Sequence, residues 1–353
     1  MLWPVSFPAD THPGVGSLLS AIFSQRKTGS LARTYLISLN SRAIIYAGIV
    51  GGLLVTATKF FAALLTGSSV MMSESVHSLV DTGNSLLLLY GMRRAKQTPD
   101  RTHPLGYSRE IFFWSFVVAV LMFALGAGIS LYEGVSHILN PEPIQNAMVN
   151  YIVLGISALI DGATWWLALR SFKGTLRFRS LFSKFKKSKD PSQFVNLFED
   201  TAGLLGLIVA FGGTYFSVIL KRPVLDGVAS ILIAIVLAAT AVLLARETKE
   251  LLIGETADQT VIDSILKISS KIDGVVHANG VITMQIGPEQ IIVILSIEFS
   301  DELRTPEIEQ KVVELERRVR AQHREVTALF IKPQTSVEFQ KAKSTRFKTP
   351  TAQ

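Results

Sequence analysis

Six stretches of about 20 or more mostly apolar residues, each long enough to cross a hydrocarbon layer, run along the chain at Ala43–Leu65, Ser69–Met92, Glu110–Tyr132, Val149–Leu169, Leu197–Ile219 and Leu225–Ala245. The pattern predicts six transmembrane helices. The second and fifth are the weakest by hydropathy, because Glu74, His77 and Asp81 interrupt one, and Glu199 and Asp200, with Asn196 just ahead of them, interrupt the other. His77 and Asp81 stand four apart, as do Asn196 and Asp200. That spacing puts each pair on one helix face. An ionisable residue at membrane depth is costly and marks an ion or substrate path by default.

The pattern changes at Arg246-Glu-Thr-Lys-Glu. Asp258–Ile272 and Pro306–His323 carry helical periodicity, and Val281–Ile286, Gln290–Phe299 and Val326–Ile331 read as strands, the first two joined at Gly287-Pro-Glu. The order αββαβ predicts a small α+β, ferredoxin-like cytoplasmic domain behind an all-α membrane domain. The expected organisation is a basic N-terminal arm over 1–41, a six-helix transport domain over 42–247, the cytoplasmic domain over 248–335 and a disordered basic tail over 336–353. The arm has Arg26, Lys27 and Arg33 against one acid, Asp10. It is read as a flexible arm, although a mitochondrial-type presequence has a similar composition.

Composition agrees with a membrane protein: 48% of the 353 residues are hydrophobic and 18% charged, with a mean hydropathy of +0.37. The net charge of +7 is mostly topology. Arg93, Arg94, Lys96, Arg101 and Arg109 follow span 2, and Arg170 to Lys189 hold a second basic run after span 4, while the opposite loops have little beyond Lys221 and Arg222. By the positive-inside rule both termini and the basic loops are expected to be cytoplasmic, or on the equivalent side of an organelle. These loops suit contact with anionic membrane lipids, and no nucleic-acid partner is needed to explain them. The absence of cysteine excludes disulfides and thiolate metal sites. Any metal must be held by oxygen and imidazole.

An imidazole and a carboxylate at i, i+4 can converge on one ion. Glu74, His77 and Asp81 share a stripe of span 2, and span 5 offers Asn196 and Asp200 with Glu199 about 100° round the helix. Together they can close a site of one nitrogen and three oxygens for a divalent first-row ion. A competing reading has Asp200 neutralise Lys59 of span 1. Asp161 in span 4 is either a proton-relay group or a structural acid.

The runs SSVMMSESVHSLVDTGNSLLLLYGMRRA, HPLGYSREIFFWSFVVAVLMFALGAGISLYEG and NLFEDTAGLLG resemble the cation diffusion facilitator family (solute carrier family 30), in particular its zinc transporter 9-like branch. The resemblance covers Arg42 to Lys332 in order. It implies a homodimeric exporter of Zn²⁺ or a related divalent ion in exchange for protons, with His77, Asp81, Asn196 and Asp200 as the transport site; Glu199 and Glu74, from their own positions on the helices, are candidate additional ligands. Asn196 departs from the family's His or Asp, and its neutral amide is a weaker ligand. The family's peripheral loop site matches at Asp100 and His103, but Tyr107 stands where a third ligand belongs, so these residues are read as folding the loop. His277 and His323 are too sparse for a zinc site in the cytoplasmic domain, which is read as a dimerisation module. A charge interlock between spans 3 and 6 is expected from Arg109 and Asp226.

The expected mechanism is alternating access of spans 1, 2, 4 and 5 against 3 and 6. Metal requires neutral imidazole and ionised carboxylates, so binding releases protons, and His77, with an ordinary pKa of about 6.5, is the natural coupling group. No cofactor and no enzymatic activity are expected. The alternatives are a transporter preferring Mn²⁺ or Fe²⁺, a polytopic metal-dependent enzyme built on Glu74, His77 and Asp81, and a scaffold that has lost transport. No HExxH, nucleophile motif or phosphate-binding glycine run favours the enzyme. The expected location is a bacterial inner membrane, with an organellar membrane as the other choice.

Overall fold

The computed structural model describes residues 48–171 and 189–346. The expected N-terminal arm, the start of span 1 and most of the basic run after span 4 lie outside them. Six long helices come first: α1 (Gly48–Thr66), α2 (Ser69–Ala95), α3 (Glu110–Leu139), α4 (Ala147–Ser171), α5 (Pro191–Ile219) and α6 (Val224–Ile253). Among the described residues, five of them are long and apolar enough to cross a membrane; α2 is the exception. Its polar groups account for that. Ser73, Glu74, Ser75 and His77 are buried, whereas Leu79 and Leu86 are exposed, so α2 turns its polar stripe inward and Leu79 and Leu86 outward.

Local chemistry sets the ends. Gly67 takes a positive φ of 67° and Ser68 caps α2 by accepting from the Met71 amide. Pro191 opens α5, where its missing N–H costs nothing, and Gly254, at φ 115°, closes α6. The charged run Arg246–Glu250 stays helical, with Thr248 and Leu251 buried, so the membrane-side helix runs past the expected boundary at 247. Within α3, residues Met122–Ala127 form a π-helical turn.

Two apolar clusters pack the bundle. One, around Phe112, Val195, Ala241 and Leu244, lies toward the basic-loop end; the other, around Val70, Met71, Ala210 and Ile233, lies toward the opposite end. The polar residues of α2 and α5 fall between them. At that opposite end, the buried Asp226 accepts from Ser68 Oγ at 2.9 Å, Ser69 Oγ at 3.0 Å and the Val70 amide at 3.2 Å, stitching α6 to the start of α2. Asp226→Ala removes the acceptor for three buried donors and is expected to cost on the order of 3 kcal/mol. Thermal unfolding of the detergent-solubilised protein reads this, and a wild-type midpoint contradicts it.

The C-terminal part has the element order α7 (Gln259–Ser269), β1 (Val275–Gly287), β2 (Gln290–Phe299), α8 (Thr305–Gln322), β3 (Val326–Pro333) and α9 (Ser336–Arg346). The sheet order is β1-β2-β3, with β1 and β2 antiparallel and β2 and β3 parallel. Ile265, Leu295, Ile297, Leu315 and Val319 fill its core. The helix α9 corrects the expectation of disorder over 336–346; the rest of the expected tail, 347–353, lies outside the described residues. Ser336 donates its amide to Glu298 at 3.0 Å and its hydroxyl to the same carboxylate, and this pulls the Glu298 pKa below the usual range. Gly280 leaves room for the Phe339 ring. Composition alone does not reveal such a two-point anchor.

Candidate metal centre

Helices α2 and α5 pack antiparallel, and glycine makes the approach possible. A Cβ on Gly206 would lie 2.8 Å from Glu74 Oε1, and one on Gly203 would lie 3.1 Å from His77 Nε2. Farther toward the opposite end, a Cβ on Gly213 would meet the Ala229 Cβ of α6 at 2.3 Å. The packed face of α5 runs through Val195, Glu199, Ala202, Gly206 and Ala210, all buried. Small residues at this spacing let helix backbones come close in a membrane.

The rungs between the two helices carry the chemistry. Glu74 faces Gly206, His77 faces Gly203, and Asn84 Nδ2 donates to Glu199 Oε1 at 2.7 Å. Between these, Asp81 is close enough to Glu199 and Asp200 to feel both charges. His77 Nδ1 lies 3.4 Å from Asp81 Oδ1, yet the pair is not aligned as a hydrogen bond. Both imidazole nitrogens, Asp81 Oδ1 and Glu74 Oε1 are buried with no hydrogen-bond partner. Buried polar atoms are normally paired, so this cluster keeps lone pairs free for something other than protein. The Asp81 side chain itself is 36% exposed, which opens one edge of the cluster.

The expected residues therefore divide. His77, Asp81, Asp200 and Glu199 are brought to one layer, but Asn196 is exposed. Among the described residues no three His, Asp or Glu side chains close into metal-binding geometry. Lys59 does not answer Asp200: its ammonium lies 3.1 Å from Glu74 Oε2 and 2.9 Å from Ser78 Oγ. This places Glu74 in a buried ion pair. Asp161 lies within electrostatic reach of Glu74, Asp81, Asp200 and Lys59. The glycines opposite His77 and Glu74 were not singled out in the sequence, although the small-residue stripe on span 5 was there to find.

The interlock expected between Arg109 and Asp226 does not form. Asp226 sits at the first turn of α6 among the α2 serines, whereas Arg109 precedes α3 at the other end and points Nη2 at Met284 Sδ, 3.2 Å away. The basic-loop end is tied differently, by Ser108 Oγ donating to Gln290 Oε1 at 2.6 Å and by Lys189 against Glu255 at 2.5 Å. In the loop after α2, Asp100 accepts from the Thr102 amide at 2.8 Å, the His103 amide at 2.6 Å and the Tyr107 hydroxyl at 2.7 Å. The Tyr107 bond first, then the His103 amide, holds the Asp100 carboxyl down at about 2. The acid is thereby committed to folding the loop. In the C-terminal part, His323 lies between Glu325 at 3.0 Å and Ser264 at 2.8 Å, and His277 is exposed on β1.

Residues 45–253 match the cation efflux transmembrane domain. The chain is 36% identical over 200 residues to the human mitochondrial protein "Proton-coupled zinc antiporter SLC30A9", a match covering 56% of this chain and 35% of that one. It is 32% identical over 216 residues to metal tolerance protein C4 of Arabidopsis thaliana, covering 61% and 47%, and 34% identical over 123 residues to the cation-efflux pump FieF of Cronobacter sakazakii, covering 35% and 40%. These matches span less than half the length of each relative. The family domain takes in all six long helices and more than half of the chain; this multi-pass membrane protein belongs to the cation diffusion facilitator (cation efflux) family, on its SLC30A9-like branch.

Proposed function

We propose that the chain exports a divalent metal cation, Zn²⁺ foremost, in exchange for protons, and that His77, Asp81, Asp200 and Glu199 hold the ion in transit. The observation that carries this reading is the buried cluster of unpartnered imidazole and carboxylate atoms at the rung where α2 and α5 meet. The names of the relatives support both the metal and the proton coupling. Ionised carboxylates and a neutral imidazole are what a bound cation needs, so loading the site drives protons off and protonating it drives the metal off. The inward polar stripe of α2 supports a sixth span despite its hydropathy. Alternating access would move α1, α2, α4 and α5 against α3 and α6. The C-terminal order supports a ferredoxin-like module through which two copies pair, with the basic loops against lipid headgroups. The mitochondrial naming of the vertebrate relatives favours an organellar membrane over the bacterial inner membrane. Relatives named as transporters also weigh against the enzyme reading.

Purified protein in liposomes with an internal metal dye and a pH dye tests this directly. Metal uptake accompanied by opposite proton movement is expected, and competition among Zn²⁺, Mn²⁺, Fe²⁺, Co²⁺ and Cd²⁺ ranks the ions. An impermeant vesicle showing neither flux removes the reading. A preference for Mn²⁺ or Fe²⁺ is the second reading, favoured by the exposed Asn196: without it the set keeps one nitrogen among carboxylate oxygens, which admits harder ions.

The choice between Asn196 and Glu199 has its own test. Asn196→Ala is expected to keep initial flux within about threefold of wild type, and Glu199→Gln to lower it about tenfold or more, the range seen when a ligand or its immediate support is lost. The reverse order returns Asn196 to the ligand set.

A further inference from the structure

Glu74 sits one rung beyond His77, on the same face of α2, with Oε1 unpartnered against Gly206 and Oε2 held by Lys59. Both members of the pair are almost wholly buried, Lys59 at 1% and Glu74 at 0% exposure. Ser78 Oγ, beside His77 in sequence, accepts the ammonium's second hydrogen bond. Lys59 is thus anchored at two points on the metal-site helix from a different helix, and its charge reaches His77, Asp81 and Asp161 as well. A lysine buried in an apolar bundle is costly unless paired. A structural role alone is met by packing an apolar residue at position 59 and a neutral one at 74. The retained charge pair lies instead one helical turn from an open cluster of ligand atoms.

We propose that Lys59 is a tethered cation that keeps Glu74 out of the transported ion's coordination shell. It is a positioning residue: by holding Glu74 it limits the number of carboxylates that can close on the metal, so the ion is held and then released. The inference rests on the exporter reading for its purpose, but its first readout is binding. With Lys59 in place, Glu74 Oε2 is occupied and the carboxylate is neutralised. Without Lys59, Glu74 swings freely at the His77 rung and joins the ion as an extra anionic ligand. Affinity rises with the charge count of a site, and an ion held too tightly leaves slowly.

The test measures Zn²⁺ binding to the detergent-solubilised full chain by calorimetry, beside initial Zn²⁺ flux in liposomes. Lys59→Met is expected to tighten binding about tenfold or more and to lower both KM and kcat. Lys59→Met combined with Glu74→Gln removes the extra ligand together with the cation and is expected to return affinity to within about threefold of wild type. Glu74→Gln alone leaves the Lys59 charge uncompensated beside the site and is expected to weaken binding about tenfold. Three results overturn the proposal: a folded Lys59→Met with wild-type affinity, a double variant as tight as Lys59→Met, or Glu74→Gln with wild-type affinity. The Glu74→Gln arm decides even where Lys59→Met fails to fold. Absence of flux from the wild type overturns the exporter reading, and the binding comparison then decides the role of Lys59 by itself.

Discussion

Asp81→Ala, and separately Asp200→Ala, is expected to reduce metal-driven proton exchange in liposomes to the level of protein-free vesicles, at least about 100-fold below wild type. A divalent ion leaving water loses a hydration shell that only charged ligands replace at membrane depth. The proposed set has one imidazole and three carboxylates, so removing a carboxylate takes away a charge as well as a donor atom. Asp81 is the sharper probe because it is near His77, Glu199 and Asp200 at once. Insertion should survive, since Asp81 lies at an open edge and carries no hydrogen bond that holds the bundle together. Size-exclusion profiles of the variants check that point. Wild-type flux from either variant places the ion elsewhere.

Gly206→Val should be nearly as damaging without touching any ligand. Its Cβ would stand 2.8 Å from Glu74 Oε1 before the two branch methyls are counted, and Glu74 can retreat only by giving up its bond to Lys59. The helices must then part, and the rungs at His77 and Asp81 open with them. A displacement of about 1 Å at a site of this kind costs on the order of 100-fold in rate. Gly212, on the same helix with open space around its Cβ position, supplies the control: Gly212→Ala should leave flux unchanged. Equal flux from both variants means that the close approach of α2 and α5 has no bearing on transport.

The His77–Asp81 pair could be read in the sequence because four residues on a helix fix a shared face whatever surrounds it. Asn196 could not be placed by the same rule. The spacing relates it to Asp200, but which side of α5 is packed depends on Val195, Ala202, Gly206 and Ala210, and their stripe is centred on Glu199. Asn196 falls at the edge of that stripe and ends exposed. Lys59 was legible as a buried cation needing an acid, but its choice of Glu74 over Asp200 depends on how α1 leans on α2, and no local pattern encodes that. Arg109 and Asp226 were paired because the family resemblance implies an interlock between spans 3 and 6, although they stand at the starts of helices that enter the bundle from opposite ends. The strand and helix order of the C-terminal part was plain from periodicity. The helix after Pro333 was not, because its anchors, Glu298 and Gly280, are supplied from other strands.

The π-helical turn at Met122–Ala127 is a spare residue that the third span has absorbed. Ile111, Ser115, Ala119, Met122, Gly126, Ser130, Gly134 and His137 form one buried line along α3. Seven turns of an ordinary helix use about 25 residues, and this line needs one more. The wide turn takes up the surplus. Gly134 can therefore still meet Gly227 of α6, where a Cβ would come within 2.8 Å of the carbonyl oxygen. Loss of one residue inside that turn would leave a regular helix with both halves in phase against α6, whereas loss of one residue within a regular stretch of helix rotates the rest of that helix by about 100°. Of the described spans, α3 is thus the one whose length can drift by one residue without misaligning its packed face.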